Sequence, residues 1–197
     1  MNVKKVLLIF LGIVLILVLG VWFILTHPPA ELKNTNSNAL GEESHGNRAI
    51  SKENSDAAAE KTFLEEMIPH HAEAVMSSKI ALEKSQNPEV RQLAQNIVTG
   101  QEKEIADMKG WYKAWYKEDY KDLGTYHTMT TDLTSLSGKS FDKAFLEGMI
   151  EHHLHALTMG QTVAPVITHD EIRTLAENIA TTQSDEIITM RILLKAM

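Results

Sequence analysis

From about residue 56 to the C-terminus, apolar residues recur three and four positions apart, and no stretch alternates singly as a strand would. The spacing predicts four helices. The first covers about residues 56–85 and stops before Asn87-Pro88, an N-cap followed by a proline at the first helical position, which opens the second. The second runs to about Lys117, and the third runs from near Ser140 to just before Pro165. The fourth begins at Thr168, where Thr168-His169-Asp170-Glu171 has the form of a capping box, and continues to the end. Ahead of these helices, residues 6–25 are continuously apolar, about the length that crosses ~30 Å of hydrocarbon. Residues 26–55 lack periodicity and are rich in Asn, Ser, Glu and Pro; they read as a flexible tether, with His27 and His45 as solvated members of it.

The periodic region states one phrase twice. Phe63-Leu64-Glu65-Glu66-Met67-Ile68-Pro69-His70-His71 returns as Phe145-Leu146-Glu147-Gly148-Met149-Ile150-Glu151-His152-His153. At the same shift Leu93, Ala94, Ile97, Gln101, Glu104 and Met108 return as Leu175, Ala176, Ile179, Gln183, Glu186 and Met190. Identities at a constant, gapless shift mean an internal duplication, with repeats at about 56–117 and 140–197. Each repeat is a helical hairpin that cannot bury its apolar stripe alone. The expected fold is all-α: two duplicated hairpins forming a ferritin-like four-helix bundle, preceded by one N-terminal transmembrane helix. The long connection at 118–139 suggests a crossover along the bundle.

The N-terminal run sets the expected location. Lys4 and Lys5 precede it and should stay cytoplasmic, which places the C-terminal domain outside the membrane, at the cell surface or in the periplasm. Thr26-His27-Pro28-Pro29 is a poor cleavage site, so an uncleaved single-pass anchor over residues 1–25 is preferred to a removed signal peptide.

At about 100° per residue the polar residues can be assigned to faces. His71 falls in the apolar stripe of the first helix and His70 at its edge, so one histidine of each pair should aim inward and the other toward a flanking helix. The third helix repeats this with Met149, His152 and His153, and adds His155 and Met159, four apart on one side. Gln101 and Glu104 share the apolar face of the second helix, and Gln183 and Glu186 that of the fourth. A buried carboxylate is costly unless it is paired or binds a cation. The bundle should therefore contain a polar layer. In one reading Glu104 and Glu186 accept hydrogen bonds from the histidines, and Gln101 and Gln183 complete a network that fixes register. In the other the layer is a metal site of imidazoles and thioethers, with the carboxylates as ligands or as orienters behind them.

Composition narrows the chemistry. Across 197 residues there is no cysteine, which excludes disulfides and thiolate sites, while nine methionines and nine histidines are present. The formal charge of −7 argues against a nucleic-acid partner. Met with His and no Cys suits Cu(I), with Cu(II) possible at the histidines. The repeats contain no Glu-x-x-His of the di-iron type, no phosphate loop and no nucleophile–base set, so turnover chemistry is not expected. Met67, Met108, Met149 and Met190 also occupy positions where core residues belong. A helical scaffold that meets a partner protein through the 118–139 loop, with Trp111, Trp115 and Tyr116 nearby, is the alternative; oligomeric state is not set by the sequence.

At Met67-Ile68-Pro69-His70-His71 and Met149-Ile150-Glu151-His152-His153, each followed by a helix carrying Leu-Ala, Ile, Gln, Glu-Ile and Met, the chain resembles the ferritin-like family called domain of unknown function 305. The likeness covers the chain from about Asp56. It implies a four-helix bundle, usually exported or membrane-anchored, in a family with members linked to copper binding and copper tolerance. Carried over by position, it implicates Met67, His70, His71, Met149, His152, His153 and Met159, with Met108 and Met190 on the partner helices. The family pattern places Met seven residues after the first histidine. Met159 obeys it, whereas the first copy has Ser77 there and Met76 one place early.

Overall fold

The computed structural model describes residues 43–197 apart from Thr125 and Thr131. It contains four helices: α1 (Glu43–Lys84), α2 (Pro88–Tyr116), α3 (Gly138–Val163) and α4 (Asp170–Ala196), with a one-turn 3-10 helix, Ala164–Val166, between the last two. There is no strand among the described residues. None of their helices is long and apolar enough to cross a membrane, and the expected span at 6–25 lies outside them. Helix α1 is already helical at Glu43, the first described residue, well ahead of the point where the apolar stripe begins. Periodicity reports only the part of a helix that has a face to bury. Here the helix extends ahead of the packed segment, with a Lys52–Asp56 pair one turn apart at 3.1 Å. Pro69 lies inside α1 without ending it. It removes one backbone donor at the level of the histidines, and packing carries the helix through.

The first hairpin closes as the sequence predicts. Asn87 Oδ1 accepts the Glu89 N–H at 2.9 Å, and Pro88 fills the first helical position. Ser85 Oγ accepts the Asn87 N–H at 3.2 Å, and the Arg91 guanidinium donates to the Leu82 carbonyl. Asn87→Ala removes the cap and is expected to cost roughly 1 kcal/mol in urea unfolding. The second hairpin differs from expectation. His169, not Thr168, is the N-cap of α4, and no side chain caps it. The capping box does not form because Thr168 and His169 give their donors to Glu60 of α1.

The connection between hairpins runs along α1 from Lys61 to Lys84. It begins at Glu118, bonded by Lys61 Nζ at 2.9 Å, passes Glu73 and Ser77, and ends where Lys84 Nζ donates to the carbonyls of Leu133, Thr134 and Leu136. Leu133 is buried by this path. Helix α3 therefore starts beside the far end of α1 and runs antiparallel to it, which gives the up-down-down-up order of a bundle with one crossover. Two apolar clusters result. One gathers Ala74, Ala81, Phe141, Phe145, Met149 and Met190, among others. The other gathers Phe63, Leu64, Met67, Met108, Ala156 and Ile179.

Candidate metal centre

The boundary between those clusters is polar. In α1 the chain passes from Met67 in one cluster to Ala74 in the other, and in α3 from Met149 to Ala156. His70, His71, His152 and His153 lie between those positions, and none has any exposed surface.

The outer pair of each repeat is built alike. His71 Nε2 donates to Glu104 Oε2 of α2 at 2.8 Å, and His153 Nε2 donates to Glu186 Oε2 of α4 at 2.7 Å. With Nε2 holding the proton, Nδ1 carries a lone pair; both Nδ1 atoms are buried without a partner. A carboxylate behind an imidazole, fixing its tautomer and orientation, is how proteins prepare a histidine to ligate. Gln101 and Gln183 do not complete the network. The Gln101 amide has no hydrogen bond at either end, and Gln183 Oε1 has none either.

The inner pair crosses the bundle. The rings of His70 and His152 lie 3.7 Å apart between centroids, tilted by 34°. All four ring nitrogens are buried without a hydrogen bond. Burial, then the neighbouring imidazoles of His152, His71, His155 and His153, hold His70 well below the usual imidazole range. Burial and His153 likewise lower His152, with Glu73 acting in the opposite sense. Both rings are thus neutral, each with one nitrogen free to offer a lone pair. Glu73 Oε2 stands 3.5 Å from His152 Nε2 without forming a hydrogen bond. Its acceptors are taken by the crossover: the Tyr126 hydroxyl at 2.6 Å, the Met129 N–H at 2.8 Å, and the Thr130 N–H and hydroxyl, both at 2.7 Å. Burial works to raise Glu73, and the bonds from Tyr126 and Thr130 outweigh it, so this carboxyl stays below the usual range.

The remaining sequence-predicted residues divide. Met67 and Met149 are buried one turn before His70 and His152, on the same helix faces. Met108 and Met190 are buried in the apolar clusters, the core position that their spacing also allowed. His155 is exposed, with its ring 5.2 Å from that of His70, and Met159 is half-buried. Sequence reading missed Glu73 and the loop residues Tyr126, His127 and Met129; a non-periodic segment carries no signal for which face it will cover.

Among the described residues no three His, Asp or Glu side chains converge as a ready cage. The donors instead come as imidazole pairs with thioethers a turn away. That set fits a soft cation of low coordination number, and the unpartnered ring nitrogens supply the lone pairs it needs.

The chain matches the model of the family described as Domain of unknown function (DUF305) over residues 60–194. Among solved structures it is similar to CopM in the Cu(II)-bound form (33% identity, 69% of this chain and 95% of that one, TM-score 0.65). CopM in the Cu(I)-bound form is similar at 34% identity over the same shares, with a TM-score of 0.64. A DUF305 fragment from Deinococcus radiodurans is similar at 27% identity, covering 71% of this chain and 97% of that one, with a TM-score of 0.63. A short stretch is 39% identical over 49 residues to uncharacterized protein L153 of Acanthamoeba polyphaga mimivirus, and the chain covers 32% of the length of that relative.

Proposed function

The chain belongs to the DUF305 family, and from that membership and the unpartnered His70–His152 pair we propose that its bundle binds copper and buffers it or passes it on, without turnover. The observation that carries the reading is four buried, neutral imidazole nitrogens with no hydrogen bond. Leaving such groups unmade forfeits about 1–3 kcal/mol each, so a cation that accepts the one lone pair each neutral ring carries gives the pair a reason to be there. CopM structures with Cu(I), Cu(II) and silver support this by analogy. In this reading His70 and His152 ligate, Met67, Met149 and Met159 offer thioethers, and Glu104 and Glu186 orient His71 and His153 from behind. The apolar run at 6–25 supports a single-pass anchor that holds the bundle outside the cytoplasm. An oxidising exterior also suits a cysteine-free donor set.

The test is titration of the whole chain with Cu(I) and with Cu(II), each in competition with a chromophoric chelator. Changing His70, His71, His152 and His153 to Ala is expected to weaken binding by at least about 100-fold. Equal affinity in the two proteins rejects the reading. The hydrogen bonds His71–Glu104 and His153–Glu186 favour a second possibility, a register-fixing network in a scaffold that holds no metal. Under it the same changes lower stability, and added copper moves the melting temperature of neither protein.

A further inference from the structure

The crossover does more than join the hairpins. Strapped to Glu73, it lays Tyr126, His127 and Met129 over a groove of about 500 Å³ whose other wall carries Glu65, Glu66, Pro69, His155 and Met159. Two imidazoles and two thioethers thus line one groove. His127, Met129 and His155 are exposed to solvent and Met159 is half-buried. A second groove, of about 470 Å³, continues between α1 and α3 from the same His155 and Met159. The floor of the first groove leads inward. The His155 ring is 5.2 Å from His70, His70 is 3.7 Å from His152, and Tyr126 stands edge-on to His70 at 6.0 Å. The two inner rings have no exposed surface, so a cation bound there has to arrive through neighbouring side chains.

We propose that this groove is a capture port, in which His127 and Met129 of the crossover, with His155 and Met159 of α3, take a soft monovalent cation from solution and pass it by way of His155 to the His70–His152 pair. The inference rests on reading that pair as the buried destination. Donor softness selects the cargo: thioether and imidazole hold Cu(I) or Ag(I) well, and a port without thiolate binds weakly enough to release. The exposed Glu66 carboxylate at the rim adds attraction for any cation. Transfer is ligand exchange alone. One thioether or imidazole donor leaves as another binds, and the ion keeps its oxidation state.

The experiment uses the whole chain with Ag(I), which is redox-inert, and with methyl-labelled methionine. In the wild type the Met129 and Met159 methyl resonances are expected to shift once silver exceeds the one equivalent that the inner pair takes. In His127→Ala/Met129→Leu, which leaves the buried layer intact, transfer of Cu(I) from a chromophoric chelator is expected to slow by about tenfold or more while the affinity at equilibrium holds. Unmoved methyl resonances, or an unchanged loading rate in the variant, overturn the port. The control is His70→Leu/His152→Leu. Methyl shifts that persist there while high-affinity binding disappears support a port that feeds the inner pair. High-affinity binding that survives in this control overturns both the transfer step and the buried destination, whereas an unchanged loading rate in the loop variant overturns the port alone.

Discussion

Glu60→Ala is expected to be the most destabilising single change outside the apolar core, lowering unfolding free energy by about 3–5 kcal/mol and the melting temperature by on the order of 10 °C. Glu60 has no exposed surface. Its carboxylate accepts from the Thr168 N–H, the Thr168 hydroxyl at 2.6 Å, the His169 N–H at 2.9 Å and His169 Nδ1 at 2.7 Å. These donors lie just ahead of the first turn of α4, so one residue of α1 clamps the α3–α4 turn to the first hairpin. Trp115 stacks on His169 at 3.8 Å and fixes the ring that donates. Truncation leaves those donors facing an apolar hole. Glu60→Gln keeps one carbonyl acceptor but turns an amide toward the other donors, so its loss falls between wild type and alanine. Burial works to raise Glu60, and the bonds from Thr168 and His169 outweigh it, leaving the carboxyl lowered from its ordinary 4.5. A lowered carboxyl stabilises fully above its unfolded value and loses that contribution as pH falls through the folded one. The gap between wild type and Glu60→Ala in thermal melts should therefore be full at neutral pH and narrow below about pH 4.5. A loss under about 1 kcal/mol at pH 7 would show that water replaces the carboxylate and that the clamp is a surface pair.

Most of the bundle is legible in the chain because its signals are local and repeated. Asn87-Pro88 announces a helix start whose geometry depends on four residues, and it is found in place. The duplication tells which helices pair, since His71–Glu104 and His153–Glu186 are the same contact written twice. Helical period divides each histidine pair between the interior and a flanking helix, but it puts His71 in the stripe and His70 at the edge, whereas all four are buried and His70 and His152 are the pair that crosses the bundle. What is hidden depends on elements meeting that are far apart in sequence. Thr168 has the local form of a cap, but Glu60, distant in the chain and near in space, competes for its donors and wins. Gln101 sits on the inner face as expected, yet the amide finds nothing at bonding distance, because position on a face does not fix reach across a bundle. Glu73 looks like one more solvent-side acid until the crossover folds over it. The part of α1 ahead of residue 56 is hidden for the opposite reason: a helical stretch without an apolar stripe in its sequence leaves no periodic trace.

His70→Leu/His152→Leu is expected to reverse the usual relation between a core substitution and stability. In the metal-free protein the change replaces two stacked, unpartnered rings by apolar side chains of similar size, and removing both members of a badly satisfied pair is neutral to stabilising, by roughly 1–3 kcal/mol. With metal the order inverts. A ligand that binds only the folded state adds about 2.7 kcal/mol at a free concentration one hundred times Kd, and this gain should be present in the wild type and absent from the variant. The two melting curves are thus predicted to cross over on adding Cu(I): variant above wild type without it, wild type above variant with it. A pH scan of the metal-free proteins gives a second check. Both inner rings are lowered from the ordinary 6.5 by burial and by their neighbours. They stay neutral in the fold where the unfolded chain would take up protons. The stability linked to a lowered imidazole is whole above pH 6.5 and is lost as pH falls below it, so the wild type should begin to weaken near 6.5. The leucine variant has no such rings and should hold until its carboxylates protonate, near 4.5. A variant less stable than wild type without metal, and indifferent to metal with it, would make the histidine layer a scaffold. The crossover instead marks a site retained at the expense of the empty fold, the pattern expected when function and stability ask different things of the same residues.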